Sequence, residues 1–184
     1  QKDLSLEDSH SLSIMLHCIG DFERISDHAL SIMKSAREMA AKNAVFSKQA
    51  VQELHIMEKA VGDIVDKAYT VFATQNITLA EEIEPLEEVI DELSRELKRR
   101  HINRLRAGEC TIEMGFILSD ITTSLERIAD HCSNIGVCVT QVREDLYDTH
   151  SHLDGVKNAP GNLFRKELET AREAYVLPAV VNKG

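Results

Sequence analysis

The sequence has no tryptophan, only three prolines, and an aromatic share of 4%. So few helix breakers favour helix over any other regular structure. Its four cysteines, Cys18, Cys110, Cys132 and Cys138, form no C-x-x-C pair, which excludes a zinc knuckle and a thioredoxin-type motif. Cys18 and Cys132 fall on apolar helix seams and read as small core residues of a reducing compartment. No apolar run approaches the ~18 residues of a membrane-spanning helix, and no signal peptide is present. Nor is there a Gly-rich phosphate loop or a nucleophile placed beside a base. Basic residues are also short, 21 Lys and Arg against 31 Asp and Glu, for a net charge of −10. That balance argues against a nucleic-acid partner, which needs clustered cations. The single basic run, Lys98 to His101, reads as a local feature favoured by the dipole at a helix end.

What the chain does have is apolar periodicity. Hydrophobic residues make up 43% of it, and four seams at 3-4 spacing predict four helices. The first runs from Leu6 to Met39 on Met15, Cys18, Phe22, Ile25, Ala29, Ile32 and Ala36. The second runs from Ser47 to Thr74 on Leu54, Met57, Val61, Ile64, Ala68 and Val71. The third, capped by Thr78, runs to Ala107 on Ile83, Leu86, Ile90, Leu93 and Leu97. It shifts phase before Ile102 and Leu105, and carries Pro85 in its first turns. Gly108 is its stop. The fourth runs from Thr111 to Val142 on Leu118, Ile121, Leu125, Ile128, Cys132, Ile135, Val139 and Val142. Short links make neighbours antiparallel, so the expected fold is an all-α, up-and-down bundle. The bundle covers residues 1–147. Residues 148–184 are a tail, in which a loop ending near Gly161 leads to a short helix over Asn162–Tyr175. Beyond Val176 the chain is expected to fray.

One phrase occurs twice. Phe22-Glu23-Arg24-Ile25-Ser26-Asp27-His28-Ala29 returns as Leu125-Glu126-Arg127-Ile128-Ala129-Asp130-His131-Cys132, 103 residues later. Each copy sets a Glu four residues before an Asp, on one helix face. Adjacent carboxylates repel until a proton or cation neutralises them, so a duplicated pair points to a duplicated cation site. If Phe22 and Leu125 are heptad position a, the acids take b and f, on the far side from the seam. Di-iron oxidases point such ligands inward as Glu-x-x-His, and neither copy has that spacing. The third helix adds Glu87 and Asp91, again four apart, and lies beside the fourth. These four carboxylates, Glu87, Asp91, Glu126 and Asp130, could gather a cluster of hard or borderline cations. Glu58, Asp63 and Asp66 are weaker candidates.

An acidic pair on an outer helix face is ordinarily a solvated surface. Here the repeated Arg, Ile and His, in one register, weigh toward binding. His28 and His131 sit about 100° round the helix from their Asp, which makes joint ligation awkward. They read as second-shell groups, as do His17 and Asp120, which occupy matching places in the repeat. Asp148-Thr-His150-Ser-His152 resembles a metal segment, though a polar loop is the commoner explanation.

Glu-Arg-Ile-x-Asp-His, once per three-helix unit, resembles the PhoU family of phosphate-response proteins. Arg100 to Leu105, Gly108 to Cys110, and Leu125 through Asn134-Ile135-Gly136 are similar to the cytoplasmic PhoU-like region that ends bacterial sodium/phosphate cotransporters. The likeness covers about Ser9 to Tyr147. It implies two tandem three-helix bundles and a non-enzymatic, regulatory role in phosphate uptake. It also implies iron or zinc, often as multinuclear clusters, on Glu/Asp-x-x-x-Asp motifs. Those motifs fall here on Glu23 and Asp27, on Glu87 and Asp91, and on Glu126 and Asp130.

By this likeness residues 1–40 are the last helix of a first bundle and 45–147 a complete second one, so Glu23 and Asp27 lack their partner pair. The chain, which opens at Gln1 rather than Met, reads as a piece of a longer protein. A membrane transporter part would precede it, and it would work at the cytoplasmic face of the inner membrane. Its expected partners are that transmembrane part, metal ions and phosphate, with a homo-oligomer also possible. The main alternative is a free-standing PhoU-type regulator. A carboxylate-metal enzyme and a purely structural bundle are the remaining rivals.

Overall fold

The computed structural model describes residues 5–148 and 160–180. Among these the chain is helical without strands. The elements are α1 (Leu6–Ala41), α2 (Lys48–Thr74), α3 (Ile77–Ala80), α4 (Ile83–Arg106), α5 (Ile112–Asp148) and α6 (Pro160–Ala174). The expected all-α bundle is therefore present, with four long helices and a shorter one in the tail.

Local chemistry sets the ends. Ser5 opens α1 with a capping box: its hydroxyl accepts the Asp8 amide, and the Asp8 carboxylate accepts the Ser5 amide. Ser47 caps α2. The third predicted helix is in fact two. Asn76, not Thr78, caps a single turn, α3, and a break at Glu81–Glu82 precedes α4. Pro85 lies in the first turn of α4, where a missing N–H costs nothing because that amide has no helical acceptor. Gly108, at φ 70°, ends α4 with a Schellman closure, its amide bonding the Leu105 carbonyl and that of Glu109 the Arg104 carbonyl.

The packing is unequal. α5 is the central helix, touching α1, α2, α3 and α4, while α2 and α4 also touch each other. The seams read from sequence on α2, on α4 up to Leu97, and on α5 through Val139 are all buried, with Cys18 and Cys132 fully so. α1 lies against α5 and reaches α2 through the edge-to-face contact of Phe22 with Phe72, whose rings are 5.3 Å apart. Antiparallel register is fixed by Lys42 pairing with Glu113 at one end and Asp21 with His131 further along. Its expected seam is rotated. Ile14 and Cys18 are buried, and Asp21, Ile25, His28 and Ile32 half-buried, whereas Met15, Ala29 and Ala36 are exposed. With one main neighbour instead of two, α1 buries a narrow stripe.

The lower half of α4 also departs from expectation. Ile102 faces solvent, and His101 and Arg104 are buried instead. Gly115 makes this possible, since a β-carbon there would lie 2.7 Å from the His101 ring nitrogen. Glu53, 0% exposed on α2, accepts from Arg104 at 2.8 Å and from Arg100 at 3.1 Å. Arg100 of the basic run thus belongs to a buried ion cluster, while Lys98 pairs with Glu126 and the exposed Arg99 with Glu96. Arg100 also donates to the Pro178 carbonyl, so residues 176–180 are pinned instead of frayed. α6 packs on α4, with Arg172 on Glu92 and the Tyr175 hydroxyl on Asp63 of α2.

Candidate metal centre between α4 and α5

Glu87 and Asp91 stand one turn apart on α4, and Asp130 faces them from α5. One carboxylate oxygen from each lies within 4.8 Å of the others, and all three side chains are half-buried. No other such group of three occurs among the described residues. They lie in the groove where the helices meet rather than on an open outer face. α5 is covered on more than one side, with even Ala129, at heptad position e, fully buried. Position f therefore falls at the edge of a contact.

The electrostatics are those of crowded anions. Burial, followed by the charges of Asp91 and Asp130, pushes the Glu87 carboxyl from 4.5 up to about 7. Burial, with Glu126 and Asp130 behind it, also raises Asp91. The Oδ1 atom of Asp91 is buried and has no hydrogen-bond partner, a costly condition for a carboxylate oxygen. Glu126, the fourth candidate, is close but occupied. It accepts from the Ser94 hydroxyl at 2.7 Å and from Lys98 at 3.2 Å. Burial pushes Glu126 up, but these two donors outweigh it and hold it below the ordinary value. Arg127 donates to Asp130 at 2.9 Å from the exposed side.

The other candidates lie apart from this cluster. Glu23 and Asp27 are exposed on α1. His28 and His131 stack, rings 5.8 Å apart, and Asp21 meets the His131 Nδ1 at 2.9 Å. Both histidines thus belong to the α1–α5 contact. Burial, then His131, lowers the His28 pKa. His17 and Asp120 are exposed. Asp63 is engaged by Tyr175, Glu58 lies near His55, and Asp66 is exposed. The segment from Asp148 to His152 lies outside the residues whose side chains are described. Sequence reasoning missed Ser94 and Lys98 as partners of Glu126. The signal was their spacing, three and seven residues beyond Asp91 on the same face of α4.

Residues 54–139 match the PhoU domain, a span that holds α4, its carboxylate pair and the α5 repeat but not α1. The chain is 27% identical over 115 residues to the phosphate-specific transport system accessory protein PhoU homolog 1 of Thermotoga maritima, covering 62% of this chain and 49% of that one. It is 24% identical over 128 residues to the corresponding PhoU homolog of Deinococcus radiodurans, covering 70% and 59%. The chain thus spans about half the length of the curated relatives it matches. No solved structure matches it. Over the matched span the chain is similar to PhoU phosphate-transport accessory proteins.

Proposed function

We propose that this chain is a regulatory module of phosphate transport in which a cation held between α4 and α5 sets how those helices present themselves to a partner. The observation that carries the reading is the carboxylate triad, with the Asp91 Oδ1 buried and unpartnered inside it. Glu87, Asp91 and Asp130 would hold the ion, and Glu126 would stand beside it, positioned by Ser94 and Lys98. The ion would supply charge neutralisation and free coordination positions for oxygen ligands such as phosphate. The donor set is all carboxylate, because His28 and His131 are engaged in the α1–α5 contact. That chemistry favours a hard cation, and of the two metals the family likeness implies, iron over zinc, which prefers nitrogen and sulfur donors. Chain residues do no bond-making here. They gather, neutralise and orient, which is regulatory rather than catalytic work.

The named relatives are accessory proteins, and this favours a free-standing regulator acting with a phosphate transport system. The finer reading, a cytoplasmic region of a sodium/phosphate cotransporter at the inner membrane, requires spanning helices elsewhere in the protein. No helix among the described residues is long and apolar enough to cross a membrane. Two measurements test the proposal. Protein purified without chelator should carry a transition metal that Asp91→Asn with Asp130→Asn removes. The same double variant of the full-length protein should alter phosphate uptake in cells. Full metal content in the double variant would sink the site. Metal loss with unchanged uptake would sink the regulatory role.

A further inference from the structure

We infer that Cys18 of α1 and Cys138 of α5 form a reversible disulfide that staples α1 onto the rest of the protein.

The geometry comes from the antiparallel register. Lys42 meets Glu113, and Asp21 meets His131 and Asn134. Continuing toward the start of α1 brings Cys18 level with Cys138. Cys18 lies one turn before Asp21 and Cys138 one turn beyond Asn134, so the two cysteines stand on the facing sides of the α1–α5 contact. The other cysteines are placed differently. Cys132 is fully buried at the heart of α5. Cys110 lies beside His101 in the α4–α5 turn, roughly 40 Å along the helix from Cys138 at about 1.5 Å per residue.

The pair is asymmetric in access rather than in reactivity, since burial raises both thiols and exchange will quicken as pH rises. Cys18 is 0% exposed, and burial pushes its thiol up to about 12. Cys138 is only half-buried, so a small reagent reaches it first. The oxidant is a low-molecular-weight disulfide. The Cys138 thiolate, its proton released to water, attacks one sulfur of that reagent. A mixed disulfide forms and one small thiol leaves. Cys18 then gives up its proton and attacks the Cys138 sulfur, expelling the second small thiol. One small disulfide becomes two thiols, and two protein thiols become one bridge. The sulfurs must close to about 2.05 Å, which the shared level of the two residues on adjacent helices allows through side-chain rotation. The consequence falls on α1, whose hold on the protein runs mainly through α5.

The intact protein is equilibrated with oxidised glutathione under native conditions, and its thiols are counted and peptide-mapped. The free thiols should fall from the four cysteines of the reduced chain by one pair, with Cys18 linked to Cys138. Hydrogen exchange across residues 14–32 should slow on the order of tenfold in the oxidised form, and α2 and α4 should be unchanged. Cys138→Ser should abolish both effects. Cys18→Ala provides the same control if the serine variant folds poorly, and the wild-type peptide map depends on neither. A thiol count that stays at four, a bridge to Cys132, or unchanged exchange in α1 of the bridged protein would each overturn the inference.

Discussion

The two copies of the repeated motif share Glu, Arg, Ile, Asp and His in one register and almost none of their surroundings. In the α5 copy, Leu125 is 5% exposed, Ile128 is buried and Asp130 joins two carboxylates of α4. In the α1 copy, Phe22 and Ile25 are half-buried, and Glu23 and Asp27 face solvent. The difference lies in the neighbours, because α5 has four and α1 has essentially one. A motif of this kind becomes a site only where a second helix brings matching charge. The same six-residue pattern is thus a candidate metal centre in one place and a surface in the other. Between them, His28 and His131 stack directly and join the copies through the histidine that the motif repeats, while Asp21, just ahead of the α1 copy, holds His131.

This contrast can be broken at its strongest point first. Glu53 holds Arg100 and Arg104 in the unit that surrounds α5, and Arg104 already has one buried nitrogen without a partner. Glu53→Ala should cost about 3–5 kcal/mol, because it strands buried cations. Urea unfolding would read this directly, and a loss below ~1 kcal/mol would mean that water replaces the carboxylate. Equivalent positions of the repeat come next. Leu125→Ala should cost about 2–5 kcal/mol as a buried cavity, while Phe22→Ala should cost about 1–2 kcal/mol, given its half-burial. Equal losses would show that α1 is as integral as α5.

The carboxylates sharpen the comparison further. Asp91→Asn should weaken metal binding by about a hundredfold, on the order of 2.7 kcal/mol. Glu23→Gln with Asp27→Asn should leave the metal bound by α4 and α5 unchanged, and titration calorimetry separates the two outcomes. The smallest effect is a pH dependence. Glu87 titrates near 7 when folded and near 4.5 when unfolded, so its charge opposes folding fully above pH 7. That opposition is relieved as pH falls from 7 to 4.5 and is gone below. The metal-free protein should therefore lose its disadvantage against Glu87→Gln across that window. A stability gap that stays constant from pH 7.5 to 4.5, a range of about three units around these values, would show that the charge carries no penalty.

The legible part of the fold was the part with strong, uninterrupted periodicity. Every seam residue proposed for α2 is buried, because six apolar positions in phase leave one way to face a core. On α1 the expected Cys18, Phe22, Ile25 and Ile32 do turn inward, but Met15, Ala29 and Ala36 face solvent while Ile14, Asp21 and His28 take their places, because two overlapping stripes fit the same helix. Only contact with α5 decides between them. The end of α4 was misread for the opposite reason. Ile102 is apolar and exposed, whereas Arg104 is charged and buried, and nothing near Arg104 in sequence announces Glu53, fifty-one residues away. The candidate site was legible as spacing on two helices, but Ser94 and Lys98 withdraw Glu126 from it through contacts that exist only once α4 lies on α5.

What the sequence by itself determined is the set of helices, the burial of their main seams and the placing of paired acids one turn apart. These follow from the backbone's 3.6-residue period and need no neighbour. What only the tertiary structure decided is which pairs meet. It chose α5 as the centre, turned His28 and His131 toward each other across the α1–α5 contact, and gathered Glu87, Asp91 and Asp130 while leaving Glu23 and Asp27 in water. The physical reason is that like charges acquire a function only through proximity and desolvation, and both are properties of packing, which the two copies of the motif do not share.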